Sequence, residues 1–312
     1  MFYHAKELQF NARVSKPDPK FASLLLEQFG GMNGELKAAM QYFTQAFAAR
    51  QPFPEKYDML MDIATEEFSH LEIVGATIQM LMNGVNGEMK DISEQSELMQ
   101  LVGGGKASKE NLIHESMLNP MFLGVTGGSP AVTNSQGVPW SGYYVDANGD
   151  MTVDLRSDIA AESRAKITYE YLMQFTDDPD VKETLKFLMT REVAHHQMFE
   201  AALSTLEPNF PPGVVQGDPR YTNLYFNMSK GDDARGPWNE GESPLLGEQW
   251  QYIDDPQQVV NSTDGLRDQQ PQGAAMSMDE AEKKSKEVSK MRSEQIKSAV
   301  PKGSNQWSKY TK

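Results

Sequence analysis

Four stretches of this chain have the apolar spacing of core helices, and each breaks that spacing with an acidic residue at mid-length. In the second stretch the stripe runs Leu60, Ala64, Glu67, Leu71, Val74, Ile78, Leu81, and only Glu67 is charged. In the fourth it runs Val181, Leu185, Leu188, Glu192, His195, Phe199, Ala202, Leu206. The first has Leu25, Phe29, Met32, Leu36, Ala39 and Phe43, with Glu35 and Tyr42 beside it, and the third has Ile159, Glu162, Ala165, Tyr169 and Leu172. Residues at such spacing share one helix face. A buried, unpaired carboxylate costs several kcal/mol, so it neutralises or finds a partner. A single glutamate on a stripe is ordinarily an edge residue. Four of them, with no lysine or arginine on the same stripes, call for metal cations.

The spacing sharpens this reading. Glu67-Phe68-Ser69-His70 and Glu192-Val193-Ala194-His195 are both Glu-x-x-His. Three residues apart on a helix, the two side chains share a face and reach one ion. Two such motifs, plus single glutamates on the other two helices, match the dinuclear carboxylate centre of ferritin-like bundles. The chain has five histidines and no cysteine, which excludes thiolate sites, iron–sulfur clusters and disulfides. His4 and His114 lie outside the four helices, and His196 is turned about 100° from His195. Carboxylate and imidazole donors suit manganese or iron alike.

The expected order is two helices, a long crossover, and two more helices. The first runs from Pro19, behind Asp18 as cap, to about Arg50, and the second from Pro54 to about Met82. The third spans about Ser157 to Phe175, and the fourth starts at Asp178-Pro179 and reaches Leu206. The crossover, about residues 83–155, has short helices at Ser93–Leu101 and Lys109–Met117. Its end reads as a β-hairpin, with Tyr143–Val145 and Met151–Val153 flanking an Asn148-Gly149 turn. That acidic turn begins like an EF-hand loop but has Met151 where glycine is required. Gly30, Gly31 and Gly34 sit inside the first helix, for close approach, for space beside the metals, or as a kink. The fold class is thus all-α: a four-helix bundle with one crossover over residues 1–210, then an irregular C-terminal arm over 211–312. The arm turns polar beyond about Asp254, and Glu280–Ser298 reads as a solvated helix.

Composition narrows the function further. A formal net charge of −15 opposes binding to nucleic-acid backbones. No apolar run is long enough for a membrane span, and the start, Met1-Phe2-Tyr3-His4, has no apolar leader, so a cytoplasmic location is expected. The nineteen methionines read as core filler.

In combination, several segments resemble the manganese catalases. They are Gly30-Gly31-Met32-Asn33-Gly34-Glu35-Leu36, Ala64-Thr65-Glu66-Glu67-Phe68-Ser69-His70-Leu71-Glu72, Ala160-Ala161-Glu162-Ser163-Arg164-Ala165 and Arg191-Glu192-Val193-Ala194-His195, with Ala234–Asn239 near the C-terminus. The resemblance implies two manganese ions that disproportionate hydrogen peroxide. Glu35 and His70 would bind the first ion, Glu162 and His195 the second, and Glu67 would bridge them. Glu192 would move protons without ligating metal, although the general bundle template makes it a ligand. Tyr42 matches a tyrosine near the first metal, and Ala161 stands where some members carry arginine. The resemblance also implies a calcium site at a subunit boundary, from Asp58, Asp62 and the loop with Asn227, Ser229 and Gly231, and a homo-hexamer with wrapping C-terminal segments. The rival readings are a di-iron oxidase or iron-storage protein, and a spore-coat structural protein on the same bundle. A catalase located in a spore is compatible with the complete ligand set.

Overall fold

The structure, a computed structural model, describes residues 3–82, 129–206, 218, 220–229, 234–243 and 247–269, with Lys283, Lys286 and Lys290. The chain divides into two compact units, 1–206 and 207–312. The expected short helices at Ser93–Leu101 and Lys109–Met117 lie outside the described residues, as does most of the polar stretch 280–298.

The first unit contains the bundle, built from α1 (Pro19–Gly30), α2 (Glu35–Ala49), α3 (Pro54–Leu81), α4 (Met151–Leu172) and α5 (Pro179–Ser204). The cap-plus-proline signals hold at α1 and α5. Asp18 accepts from Phe21 N, and Asp178 accepts from Asp180 N and Val181 N. α2 packs on α3, α4 on α5, and α1 and α2 on α4.

The first expected helix is two helices. The chain leaves helical geometry over Gly31–Gly34 and restarts at Glu35. The glycines are there for contact. A Cβ on Gly34 would lie 2.6 Å from the Gln28 carbonyl oxygen, and one on Gly30 would lie 2.6 Å from backbone atoms of Thr133. The break resets the helical phase. Met32 is exposed, and the buried side of α2 carries Ala38, Ala39, Tyr42, Ala46 and Ala49 together with Lys37, Gln41 and Gln45. It also makes Glu35 the first residue of α2, where the helix dipole favours a negative charge.

The expected hairpin is absent. Tyr143 and Tyr144 belong to a 3₁₀ turn, Gly142–Tyr144, and Met151–Val153 form the first turn of α4. Asn148-Gly149 does turn the chain, with Gly149 at φ +75, but it turns into a helix. Asp150 caps that helix through Thr152 N, and Asp154 accepts from Asn148 N at 2.7 Å and Gly149 N at 3.1 Å. Two carboxylates within four residues collect the free donors of a helix start and override the short-range hairpin signal. The third bundle helix therefore begins at Met151 rather than near Ser157.

Two apolar clusters fill the bundle. One joins Phe21, Leu25, Ile73, Ile78, Tyr169, Leu185 and Leu188; the other joins Ala38, Tyr42, Leu60, Ile63, Leu155, Phe199 and Leu203. Along α3, Leu60 and Ile63 belong to one cluster and Ile73 and Val74 to the other, with Glu67 and His70 between. Along α5, Leu188 and Phe199 likewise bracket Glu192 and His195. The polar centre thus lies at mid-length, walled by apolar packing on both sides.

In the second unit, β1 (Leu224–Phe226) and β2 (Gln251–Ile253) pair in parallel, with Tyr225 opposite Tyr252. α6 (Pro256–Ser262) follows, capped by Asp255. The β structure here is a parallel pair inside the expected irregular arm. No helix among the described residues is long and apolar enough to cross a membrane.

Candidate metal centre

Six side chains converge between the two apolar clusters: Glu35 from α2, Glu67 and His70 from α3, Glu162 from α4, and Glu192 and His195 from α5. Each is at most 1% exposed. Their donor atoms form two groups, Glu35–Glu67–His70–Glu192 and Glu67–Glu162–Glu192–His195, with ligand atoms in each group within 4.8 Å of one another. Glu67 and Glu192 belong to both. The two imidazoles stack with ring centroids 5.6 Å apart, and each directs Nδ1 inward. His70 Nδ1 is 2.9 Å from Glu67 Oε2, and His195 Nδ1 is 2.8 Å from Glu67 Oε1, so each oxygen of Glu67 faces one histidine.

Two tyrosines complete the buried shell, each reaching across to the other half of the bundle. Tyr42 of α2 donates to Glu162, and Tyr169 of α4 donates to Glu35. Tyr42 was expected beside the Glu35–His70 side and lies beside Glu162 instead. It is two helical turns beyond Glu35, about 10 Å along the axis, at the level of the opposing carboxylate. Tyr169 stands in the same relation to Glu162.

The electrostatics are those of an anion cluster lacking counter-charge. Burial, reinforced by Glu67, pushes Glu35 up to about 7 and Glu162 up to about 8. Burial and the other three carboxylates push Glu192 well above the carboxylate range. Burial would raise Glu67 as well, but His70 and His195 outweigh it and hold that carboxyl well below its ordinary value. For His195, burial favours the neutral ring, yet Glu66 and Glu67 prevail and raise it to about 10. Several inward atoms have no hydrogen-bond partner, namely Glu35 Oε2, Glu162 Oε2 and both oxygens of Glu192, while Glu67 Oε1 and His195 Nδ1 meet as an ion pair. Orphaned buried oxygens and inward imidazole nitrogens, aimed at common points and free of sulfur donors, fit divalent cations.

Comparison with known proteins agrees with this chemistry. The family profile "manganese containing catalase" matches residues 1–292. The chain belongs to the manganese catalase family. It is 38% identical over 234 residues to a probable manganese catalase of Clostridium acetobutylicum, covering 73% of this chain and 91% of that one. It is 33% identical over 261 residues to a manganese catalase of Bacillus subtilis, covering 81% and 90%. The crystal structure of KatB, a manganese catalase from Anabaena, superposes with a TM-score of 0.65 at 38% identity, over 82% of this chain and all of that one.

Within this manganese catalase fold, one residue passed over by the sequence reading stands out. Glu66 lies outside the inward stripe, yet its carboxylate sits behind both imidazoles. It is 3.0 Å from His195 Nε2 and 3.6 Å from His70 Nε2. Arg191 and Gln9 hold it from the far side at 2.7 and 2.8 Å. Such a carboxylate orients the rings and makes their inward nitrogens better donors. The signal was present as Glu66-x3-His70, one helical turn apart, and in the basic residue preceding Glu192. Tyr169 was legible too, since Glu35-x6-Tyr42 and Glu162-x6-Tyr169 repeat one spacing. His196 points outward to Ser163 and Glu200, and His4 pairs with Glu72 at the surface.

Two outcomes follow. Manganese must displace the protons that burial keeps on Glu35 and Glu162 and those that neighbouring carboxylates keep on His70 and His195, so affinity for the metal-free protein should rise between pH 6 and 8, by about tenfold per unit for each group still protonated. Chelator competition measures this, and a flat profile over that range would contradict the electrostatics. Glu66→Gln should weaken manganese binding about 10- to 100-fold by loosening both histidines, whereas an unchanged affinity would show that Glu66 orients neither.

Proposed function

We propose that this chain disproportionates hydrogen peroxide to water and dioxygen at a dinuclear manganese centre held by Glu35, Glu67, His70, Glu162 and His195. As a member of the manganese catalases it is a non-haem oxidoreductase acting on peroxide. One observation carries the ligand reading: the two buried groups each add one glutamate and one inward Nδ1 to a shared pair, Glu67 and Glu192, and Glu67 is the member of that pair with one oxygen within 2.9 Å of each histidine. Glu35 with His70 and Glu162 with His195 would each hold one ion, and Glu67, with one oxygen toward each histidine, would bridge them.

When bound, the manganese pair supplies a centre that takes up and returns two electrons. The protein has three further tasks. The apolar clusters keep bulk water from the mid-bundle site. Tyr42 and Tyr169 hold Glu162 and Glu35 by their free edges, limiting carboxylate movement. Glu192 handles protons. One peroxide gives up two electrons and two protons as it becomes dioxygen, and the second takes both as its O–O bond breaks. A carboxylate beside the reacting oxygens can hold one of those two protons in between, the other resting on solvent. Both Glu192 oxygens lack a hydrogen-bond partner, and burial favours its protonated form, which suits a group that accepts and returns a proton.

Two finer features are proposed with this reading from the resemblance. One is calcium bound at a subunit boundary by Asp58 and Asp62, exposed and one turn apart on α3, with the loop of Asn227, Ser229 and Gly231. Asn227 and Ser229 are accessible, and Gly231 lies outside the described residues. The other is a homo-hexamer, for which light scattering should return six times the 34.9 kDa chain mass.

His70→Ala should remove manganese and oxygen evolution together, and full metal content with normal turnover in that variant would sink the ligand set. Glu192→Gln should keep most of the manganese, as measured by elemental analysis, while turnover falls at least 100-fold, the usual scale for a lost proton carrier. Loss of one ion in Glu192→Gln would make it a ligand instead. For calcium, the double variant Asp58→Asn, Asp62→Asn should lose binding in a calcium titration, and undiminished affinity would refute that site. Iron rather than manganese in the purified protein, with ferroxidase activity, would favour the di-iron oxidase.

A further inference from the structure

A second set of buried polar residues lies outside the metal centre. Lys37, Gln41 and Gln45 follow one another at four-residue intervals on α2, and Asp154, Asp158 and Glu162 do so on α4. All six are at most 2% exposed. Two polar ladders therefore share one α2–α4 seam, and the α4 ladder ends on Glu162 of the metal centre. Gln41 Nε2 donates to Asp158 Oδ1 at 2.7 Å. At the outer end, Gln45 Nε2 donates to the Asp146 carbonyl oxygen at 2.7 Å, and Asp146 N donates to Gln41 Oε1 at 3.0 Å. Asp146 is solvent-exposed, so the seam begins at the surface.

Three atoms in this seam have no hydrogen-bond partner: Lys37 Nζ, Gln45 Oε1 and Asp158 Oδ2. One is a donor and two are acceptors, at the inner, outer and middle parts of the ladders. Buried polar groups left in that state are ordinarily bridged by internal water. The seam is also one-sided. The two halves of the centre are related by the repeated Glu-x6-Tyr and Glu-x-x-His spacings. Under that relation Asp158 corresponds to Gly31 and Gln45 to Leu172, so the other half has no such ladder.

We propose that the α2–α4 seam holds a chain of ordered water bridging Lys37, Asp158 and Gln45, and that this chain is the polar route by which peroxide reaches the Glu162 side of the centre. The apolar clusters that flank the site offer peroxide no hydrogen bonds, whereas the seam offers both donors and acceptors from the Asp146 loop to Glu162. Peroxide replaces water in such a chain with little loss, because it makes the same kinds of hydrogen bond. Lys37, Gln45 and Asp158 are then positioning residues, acting through solvent. What travels along the route rests on the catalase reading; the water itself does not.

The test uses the full-length, manganese-loaded protein with Gln45→Met and Lys37→Met, which keep length and remove polarity. Gln45 is more than two turns from Glu35, so its loss leaves the ligands in place. A high-resolution crystal structure of the unmodified protein should show water within hydrogen-bond distance of Lys37 Nζ, Gln45 Oε1 and Asp158 Oδ2, and Gln45→Met should lack the outermost. With manganese content unchanged, kcat/KM for peroxide should fall at least tenfold and kcat by less, as expected for slowed entry. A dry seam in the unmodified protein overturns the proposal. So does a kcat/KM within twofold of the original in both variants. If the unmodified loaded protein evolves no oxygen at all, the catalase reading fails, and with it peroxide as the traveller, while the crystal structure still decides the water.

Discussion

Everything in the first unit is arranged around like charges that burial forces together. Four carboxylates at most 1% exposed meet at the middle of a helical bundle, and two imidazoles are the only side chains of basic character among them. Without cations, protons must supply the compensation, which is why Glu35 and Glu162 are pushed up to about 7 and 8 and the histidines are held charged. Divalent metal removes that conflict. Binding free energy at such a site is also stability of the bundle. The apolar clusters on either side contribute burial, and they give the charges a low-dielectric surrounding in which each contact counts for more.

The bundle meets this constraint with a repeated device. α2 and α4 each supply a glutamate followed two turns later by a tyrosine, and α3 and α5 each supply Glu-x-x-His. The tyrosines cross, each serving the carboxylate of the opposite helix, which ties the two halves together at the level of the clustered carboxylates. Glu66 breaks the pattern. A single carboxylate stands behind both histidines, held by Arg191 of α5 and Gln9 of the N-terminal segment. The α2–α4 polar seam is a second departure, since only one half has it. A centre built from two like halves therefore has unlike surroundings on its two sides.

The glycines of the first helix show how packing demands appear in a sequence without declaring their purpose. Gly30 and Gly34 were visible as costly residues inside a helical pattern, yet the pattern could be drawn straight through them. Contact with the Thr133 backbone and with the Gln28 carbonyl is what removes the Cβ and ends the helix. The Asn148-Gly149 turn is a parallel case. Local signals favoured a hairpin, and the deciding groups were Asp150 and Asp154, whose carboxylates satisfy the amides of a helix start.

The residues that had to converge were readable in order along the chain, because helical periodicity converts spacing into a shared face. Glu67 with His70, and Glu192 with His195, needed nothing more than that, and the four-helix order followed from caps, prolines and stripe lengths. Which helix faces which was not readable. Periodicity gives the face of one helix and carries no information on the neighbour it meets. So Tyr42 was set beside the wrong carboxylate, Glu66 was passed over because it lies off the inward stripe, and nothing marked Lys37, Gln41 and Gln45 as buried. Only tertiary packing decides these. Helix α2 restarts after a break that shifts its phase, and α4 lies against it with a matching row of acidic side chains, so polar residues that sequence alone would give to water are enclosed beside the metal centre.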